Sequence, residues 1–397
     1  MNFAFFTNNS AFFIFIVLLT LFVFWKRRNM AIEGNFPFLY IMMYRTKIGL
    51  NKMKKWSEKH PRVFLYLSYY SIFIGIVGAI GMFIFMFWQL GFIVENQITA
   101  GGGLVLPLDV GTDSPVPVFT VPFLYWIIGL FVLMFVHEFA HGVIAERFKI
   151  KVKSSGFAFF GLFLPLLPGA FVEPDENSLK KAKSWHKLAV FGAGSASNFL
   201  FGFLFLAMWI FLAGPFIDST MEVDKFSFMG VSNQSDLIKY NVSSGELLAI
   251  DNYTVNNGLL EKVSNLSVNE TYDVTIRQNG TENTYEVMAF ANSQIPGGGR
   301  GMIGISGVDI SLDNKDSWEW LGDFPIFFER MFFWLMFLNI GIGMMNLLPI
   351  WITDGGQITR ELLTKKFKEK TALRLYNIIS WVSLILIIFT LYPTLLF

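Results

Sequence analysis

The stretch LYWIIGLFVLMFVHEFAHG, residues 124–142, decides how the rest of the chain is read. Residues 124–136 carry no charge and are almost wholly apolar, as a helix entering a bilayer must be. The same run then presents His137, Glu138 and His141. An acidic side chain at mid-bilayer costs roughly 2.5–3.5 kcal/mol on insertion scales, so one found there usually serves a function. In an H-E-x-x-H on a helix, positions i and i+4 share a face, and both imidazoles can reach one metal ion. The glutamate beside the first histidine is placed to take a proton from water at that ion.

Composition supports a membrane setting. Of 397 residues, 53% are hydrophobic and 15% charged, against roughly 25% charged in a soluble domain. Mean hydropathy is +0.50, which excludes a disordered chain and argues against a soluble enzyme. The formal net charge of +1 gives no basic field for nucleic acid, so no nucleic-acid partner is expected. With no cysteine there is neither a disulfide framework nor thiolate chemistry. Four histidines exist, and His60 and His186 lie in basic stretches that read as surface or interface.

Further apolar runs lie at about 11–25, 64–93, 122–142, 188–213, 325–350 and 376–396, six candidate spans. The first is followed by KRR where a small-residue cleavage site would stand, so it reads as a retained anchor. Residues 36–44, FPFLYIMMY, are too few to span and are expected at the membrane interface. Segments 26–28, 45–62, 147–153, 180–187 and 360–374 hold 24 of the 31 Lys and Arg. Placing them in the cytosol puts both termini outside, a hairpin at 143–187 inside, and the polar block at 215–320 outside. Sequons begin at Asn8, Asn233, Asn241, Asn252, Asn265, Asn269 and Asn279, all on the expected outside.

The block at 215–320 contains FSFMGV, ELLAIDNYTV, TYDVTIRQ, TYEVMAF and GMIGISGVDI, strand-like runs separated by Gly, Asn and Ser. It reads as a small β-rich domain inserted between two spans. The expected organisation is additional helices and a basic loop at 1–110, a first part of a membrane core at 111–214, the inserted domain at 215–320, and a second core part at 321–397. Residues 101–122, rich in Pro and Gly, read as an outside loop.

A catalytic zinc ion usually has three protein ligands, so a carboxylate is sought beside the two histidines. Asp354, in NLLPIWITDGG (346–356), is the first choice, with Glu173, Asp175 and Glu176 as rivals. Pro349 breaks the preceding helix, and Gly355 and Gly356 allow a tight turn. Residues 154–176, SSGFAFFGLFLPLLPGAFVEPDE, are apolar but interrupted by Pro165, Pro168 and Gly169. Irregular backbone at membrane depth must be paired or line a cavity, so this segment reads as a re-entrant β-loop near the metal. Its edge could pair with a substrate strand.

These motifs together resemble the site-2 protease family of intramembrane zinc metalloproteases. The resemblance runs from about 115 to 365. It rests on His137-Glu138-x-x-His141-Gly142, on FGAGSASN (191–198) and on Asn346-x-x-Pro349 followed by Asp354-Gly355. Where that family usually has a second Pro and Leu before Asp-Gly, this chain has Trp351, Ile352 and Thr353. The resemblance implies a polytopic α-helical membrane protein of about six transmembrane helices with an inserted, extracytoplasmic PDZ-like domain. It implies one Zn2+ held by His137, His141 and Asp354, with Glu138 as general base. It further implies that Asn198 helps stabilise the oxyanion, and that substrates are transmembrane proteins already trimmed by another protease. Gly192 and Gly194 are read as close helix packing. Two other classes stay open. A membrane metal transporter or channel gives no reason for Glu directly after His137. A catalytically inactive PDZ-type adaptor gives none for an intact ligand set.

Overall fold

The computed structural model describes residues 9–35, 38–96, 103–108, 118–255, 257–291 and 300–395. Asn8 and half of the 101–122 segment lie outside the described residues. The chain forms two compact units, one of residues 1–209 with 330–397 and one of residues 210–329. The second is slightly wider than the 215–320 insert expected.

The first unit is built on six helices long and apolar enough to cross a membrane. They are α1 (Ser10–Lys26), α3 (Pro61–Asn96), α4 (Phe123–Arg147), α5 (Ser184–Met208), α6 (Phe324–Met345) and α8 (Glu369–Leu391). Each falls on an expected span. Among the shorter helices between them are α2 (Leu50–Lys59) and α7 (Asp354–Lys366). Pro61 occupies the first position of α3, where its missing N–H costs no helix bond. Helices α3 and α5 approach closely through small residues. A Cβ on Gly192 would strike the Ser71 carbonyl oxygen, and one on Gly75 would lie 3.3 Å from the Gly192 Cα. Such contacts stand in for the hydrophobic effect that lipid does not supply between helices.

A four-stranded antiparallel sheet completes this unit in the order β1 (Ala31–Asn35), β2 (Leu39–Thr46), β5 (Val152–Leu162), β6 (Leu164–Pro174). Strands β3 (Leu104–Leu106) and β4 (Val118–Thr120) form a separate parallel pair. The segment read as a β-loop is a hairpin, with Ala158 opposite Gly169 and Phe157 opposite Ala170. Most of the segment expected at the membrane interface has regular structure: residues 39–46 form β2, which pairs Tyr40 with Gly161 and Thr46 with Ser155. One outer edge of the hairpin is thus occupied by β2, and β6 is left at the rim. Pro165 and Pro168 sit in that rim strand, where a missing ladder donor is tolerated.

The second unit holds a sheet in the order β11 (Thr281–Met288), β10 (Thr271–Gln278), β8 (Gly245–Ile250), β7 (Met221–Val231), β14 (Ile305–Asn314), with β9 (Tyr253–Thr254) on β8. Strands β12 (Phe290–Ala291) and β13 (Gly301–Met302) pair separately. Its core is formed by Phe226, Phe228, Leu247, Ile250, Val274, Ile276 and Val287, among others. All five strand-like runs of the sequence lie on these strands. Strands β8 and β9 make a strand-turn-strand, with Ala249 opposite Thr254.

Candidate metal centre

Helix α4 carries His137 and His141 one turn apart, with ring centroids 4.8 Å from each other. Asp354 is the first residue of α7. The connection from α6 explains how it is delivered. The Thr353 side chain accepts from the Gly356 N–H at 3.2 Å, capping α7, and donates to the carbonyls of Leu348 and Ile350. The Gly355 N–H donates to the Asn346 carbonyl at 2.8 Å. A Cβ on Gly355 would run into the Leu347 carbonyl, and one on Gly356 into that of Ile350. Both glycines are therefore required by close backbone approach. Thr353 does the local ordering at a position where the resembled family differs.

Three side chains converge. His137 Nε2 is 3.2 Å from His141 Nε2. Asp354 Oδ2 is 3.4 Å from His137 Nε2, and Asp354 Oδ1 is 3.4 Å from His141 Nε2. Bonds of about 2.0–2.1 Å in a tetrahedral zinc site put ligand atoms about 3.3 Å apart, so the donor set fits such an ion. The tautomers fit too. His141 Nδ1 lies 2.7 Å from the Val190 carbonyl, which can only accept, so that nitrogen carries the proton and Nε2 offers its lone pair. A Cβ on Gly194 would fall against the Nε2 atoms of both histidines. Of the two glycines read as packing residues, Gly192 serves that purpose. Gly194 instead keeps the space between the imidazoles and α5 open.

Asn198, fully buried, reaches the opposite side of His137, with Nδ2 3.0 Å from Nδ1. Its Oδ1 has no partner among the described residues. With the two amide atoms exchanged, Oδ1 accepts from Nδ1–H and His137 Nε2 is freed for a metal, while Nδ2 takes the position without a partner among the described residues. This geometry places Asn198 as a positioning partner of His137, and Asn198 also lines the cavity beside the donor set, where the oxyanion role implied by the resemblance would act. Ser195, one turn earlier on α5 and buried, donates to Asp354 Oδ2 at 3.1 Å. Nothing in the sequence distinguished it from the other small residues of that run except its i−3 spacing from Asn198.

Glu138 lines a cavity of about 500 Å3 together with His137, His141 and Asp354. Its Oε2 accepts from the Val172 N–H of β6 at 2.8 Å. The rival carboxylates lie elsewhere. Glu173 pairs with Arg45 and accepts from Ser154. Asp175 caps residues 176–181, and the Ser178 backbone N–H and hydroxyl, with Lys153, hold its carboxyl down to about 2. Glu176 pairs with Lys180 on the surface. His60 and His186 are absent from the cluster; His186 stacks on Phe148.

The fold and the site define a class: a polytopic helical membrane protein with a two-histidine, one-carboxylate centre inside its helical unit. The model of peptidase family M50 matches residues 125–390, and the chain belongs to that family. It is also 35% identical over 161 residues to the uncharacterized protein MJ0971 of Methanocaldococcus jannaschii. That similarity spans 39% of this chain and 39% of the relative.

Proposed function

We propose that this chain is a zinc-dependent endopeptidase that hydrolyses a peptide bond inside the transmembrane segment of another protein. The observation that carries the reading is the position of Glu138. Its carboxylate faces the same cavity as the three donor side chains, and a strand edge holds it there. A zinc ion bound by His137, His141 and Asp354 would supply Lewis acidity toward a carbonyl oxygen and toward water. Glu138 would take the proton of the attacking water and return it to the leaving amine. Since the Val172 N–H occupies Oε2, Oε1 is the atom left for that transfer.

A bilayer helix has its amides locked in internal hydrogen bonds, so a scissile segment must first unwind. The outer edge of β6 offers it new partners. Backbone groups two residues apart share an edge, so the Ala170 N–H and C=O face the same way as the Val172 N–H. Unit 210–329 is read as a PDZ-like module outside the membrane, and the substrate as a stub already trimmed on that side.

The test is a Glu138→Gln variant of the full chain, assayed in liposomes on a single-span protein with helix-breaking residues. Bound metal should be retained and cleavage lost, while Asp354→Ala should lose both. Cleavage by Glu138→Gln at the wild-type rate would remove the peptidase reading.

A further inference from the structure

Between residues 215 and 320, six of eleven asparagines open an N-x-S/T sequon: Asn233, Asn241, Asn252, Asn265, Asn269 and Asn279. Ser and Thr fill roughly one position in six there, so chance would supply about two. In the rest of the chain one asparagine in twelve does so, Asn8.

The structure makes all six accessible. Each asparagine is exposed, and each stands at an element end or a turn. Asn233 follows β7, Asn252 lies in the β8–β9 turn, Asn269 precedes β10, and Asn279 tips the β10–β11 hairpin. Among the described residues no side-chain hydrogen bond engages any of the six amides. Asn314, which opens no sequon, does donate its amide to the Gly322 carbonyl. Local geometry explains part of the pattern. Asn241, Asn269 and Asn279 have φ of 55°, 65° and 49°, a region where asparagine is favoured. It does not explain the hydroxyl two residues on. Ser243, Thr254, Ser267 and Thr271 have hydroxyls with no partner among the described residues, so folding makes no use of them.

We propose that unit 210–329 is N-glycosylated at these sequons. An oligosaccharide would pass from a lipid-linked polyprenyl phosphate donor to the asparagine Nδ2. The new bond joins Nδ2 to sugar C1 as the C1–O bond to phosphate breaks; the amide gives up one proton, and the polyprenyl phosphate leaves. The inference does not depend on the peptidase reading.

The test is peptide mass mapping of the full chain purified from the membranes of the cells that make it. Sugar mass is expected on three or more of the six asparagines and none on Asn283, an exposed neighbour outside any sequon. Fewer than three modified sites overturns the proposal. Ser243→Ala, Thr254→Ala, Ser267→Ala and Thr271→Ala should each remove one glycan's mass while leaving the turn asparagine in place. Ser235 is unsuitable, because its hydroxyl bonds the Ile303 carbonyl and caps residues 236–240; Asn233→Gln serves there. Protease access to the unit in sealed cells, measured alongside, separates a unit on the inner face from an outer unit that escapes modification, either of which overturns the proposal.

Discussion

Asn198 and Ser195 touch the donor side chains from behind, His137 for one and Asp354 for the other. Removing such partners typically costs about 10–100-fold in metal affinity. Asn198→Ala should therefore weaken zinc binding by about that factor, read by competition with a chelator. Asn198→Asp should retain the metal, because a carboxylate also accepts from Nδ1–H. An oxyanion donor would behave oppositely: alanine would keep the metal, and both variants would lose kcat. Ser195→Ala should weaken zinc binding less, since Asp354 keeps its two histidine contacts. At this scale the histidine pair, Glu138 and Asp354 were legible in the sequence, because ligand spacing and a helix break are local signals. The contacts of Ser195, Gly194 and Asn198 were not, since they depend on where α5 meets α4 and α7.

Strand β6 has two tasks under the proposed function, holding Glu138 through the Val172 N–H and offering Ala170 to an incoming strand. These can be separated. Val172→Pro deletes an N–H that points away from β5, so the ladder survives; Pro165, Pro168 and Pro174 already occupy the same strand. It should lower kcat by about tenfold or more with little change in KM. Ala170→Pro removes the donor meant for substrate and should raise KM instead. Equal effects of the two on both constants would mean that the strand does not position the base. The hairpin itself was readable from its prolines and apolar run. Its partner β2 was not. Leu39-Tyr-Ile-Met-Met-Tyr shows no apolar–polar alternation, and its pairing partners lie more than a hundred residues away, Arg45 opposite Gly156. Local pattern cannot report a contact of that separation.

At the scale of the molecule, two units share one chain, and the charge bias predicts that 210–329 lies outside. Protease added to sealed cells should cut within 210–329 and spare the 143–187 hairpin; cleavage of the hairpin would invert the topology. The insertion was visible because composition changes abruptly, from apolar runs to Asn- and Ser-punctuated strands. His141 and Asp354 flank that insertion, separated by roughly 200 residues of sequence. At translation speeds of about 5–20 residues per second, roughly 10–40 s pass between the emergence of the histidine pair and that of its carboxylate. For that interval the nascent chain lacks one of the three side chains of the candidate metal centre. Under the proposed function, the order of synthesis would act as a safety catch: a chain without Asp354 would hold two of its three metal donors and could not cut neighbouring helices before its own last spans are made.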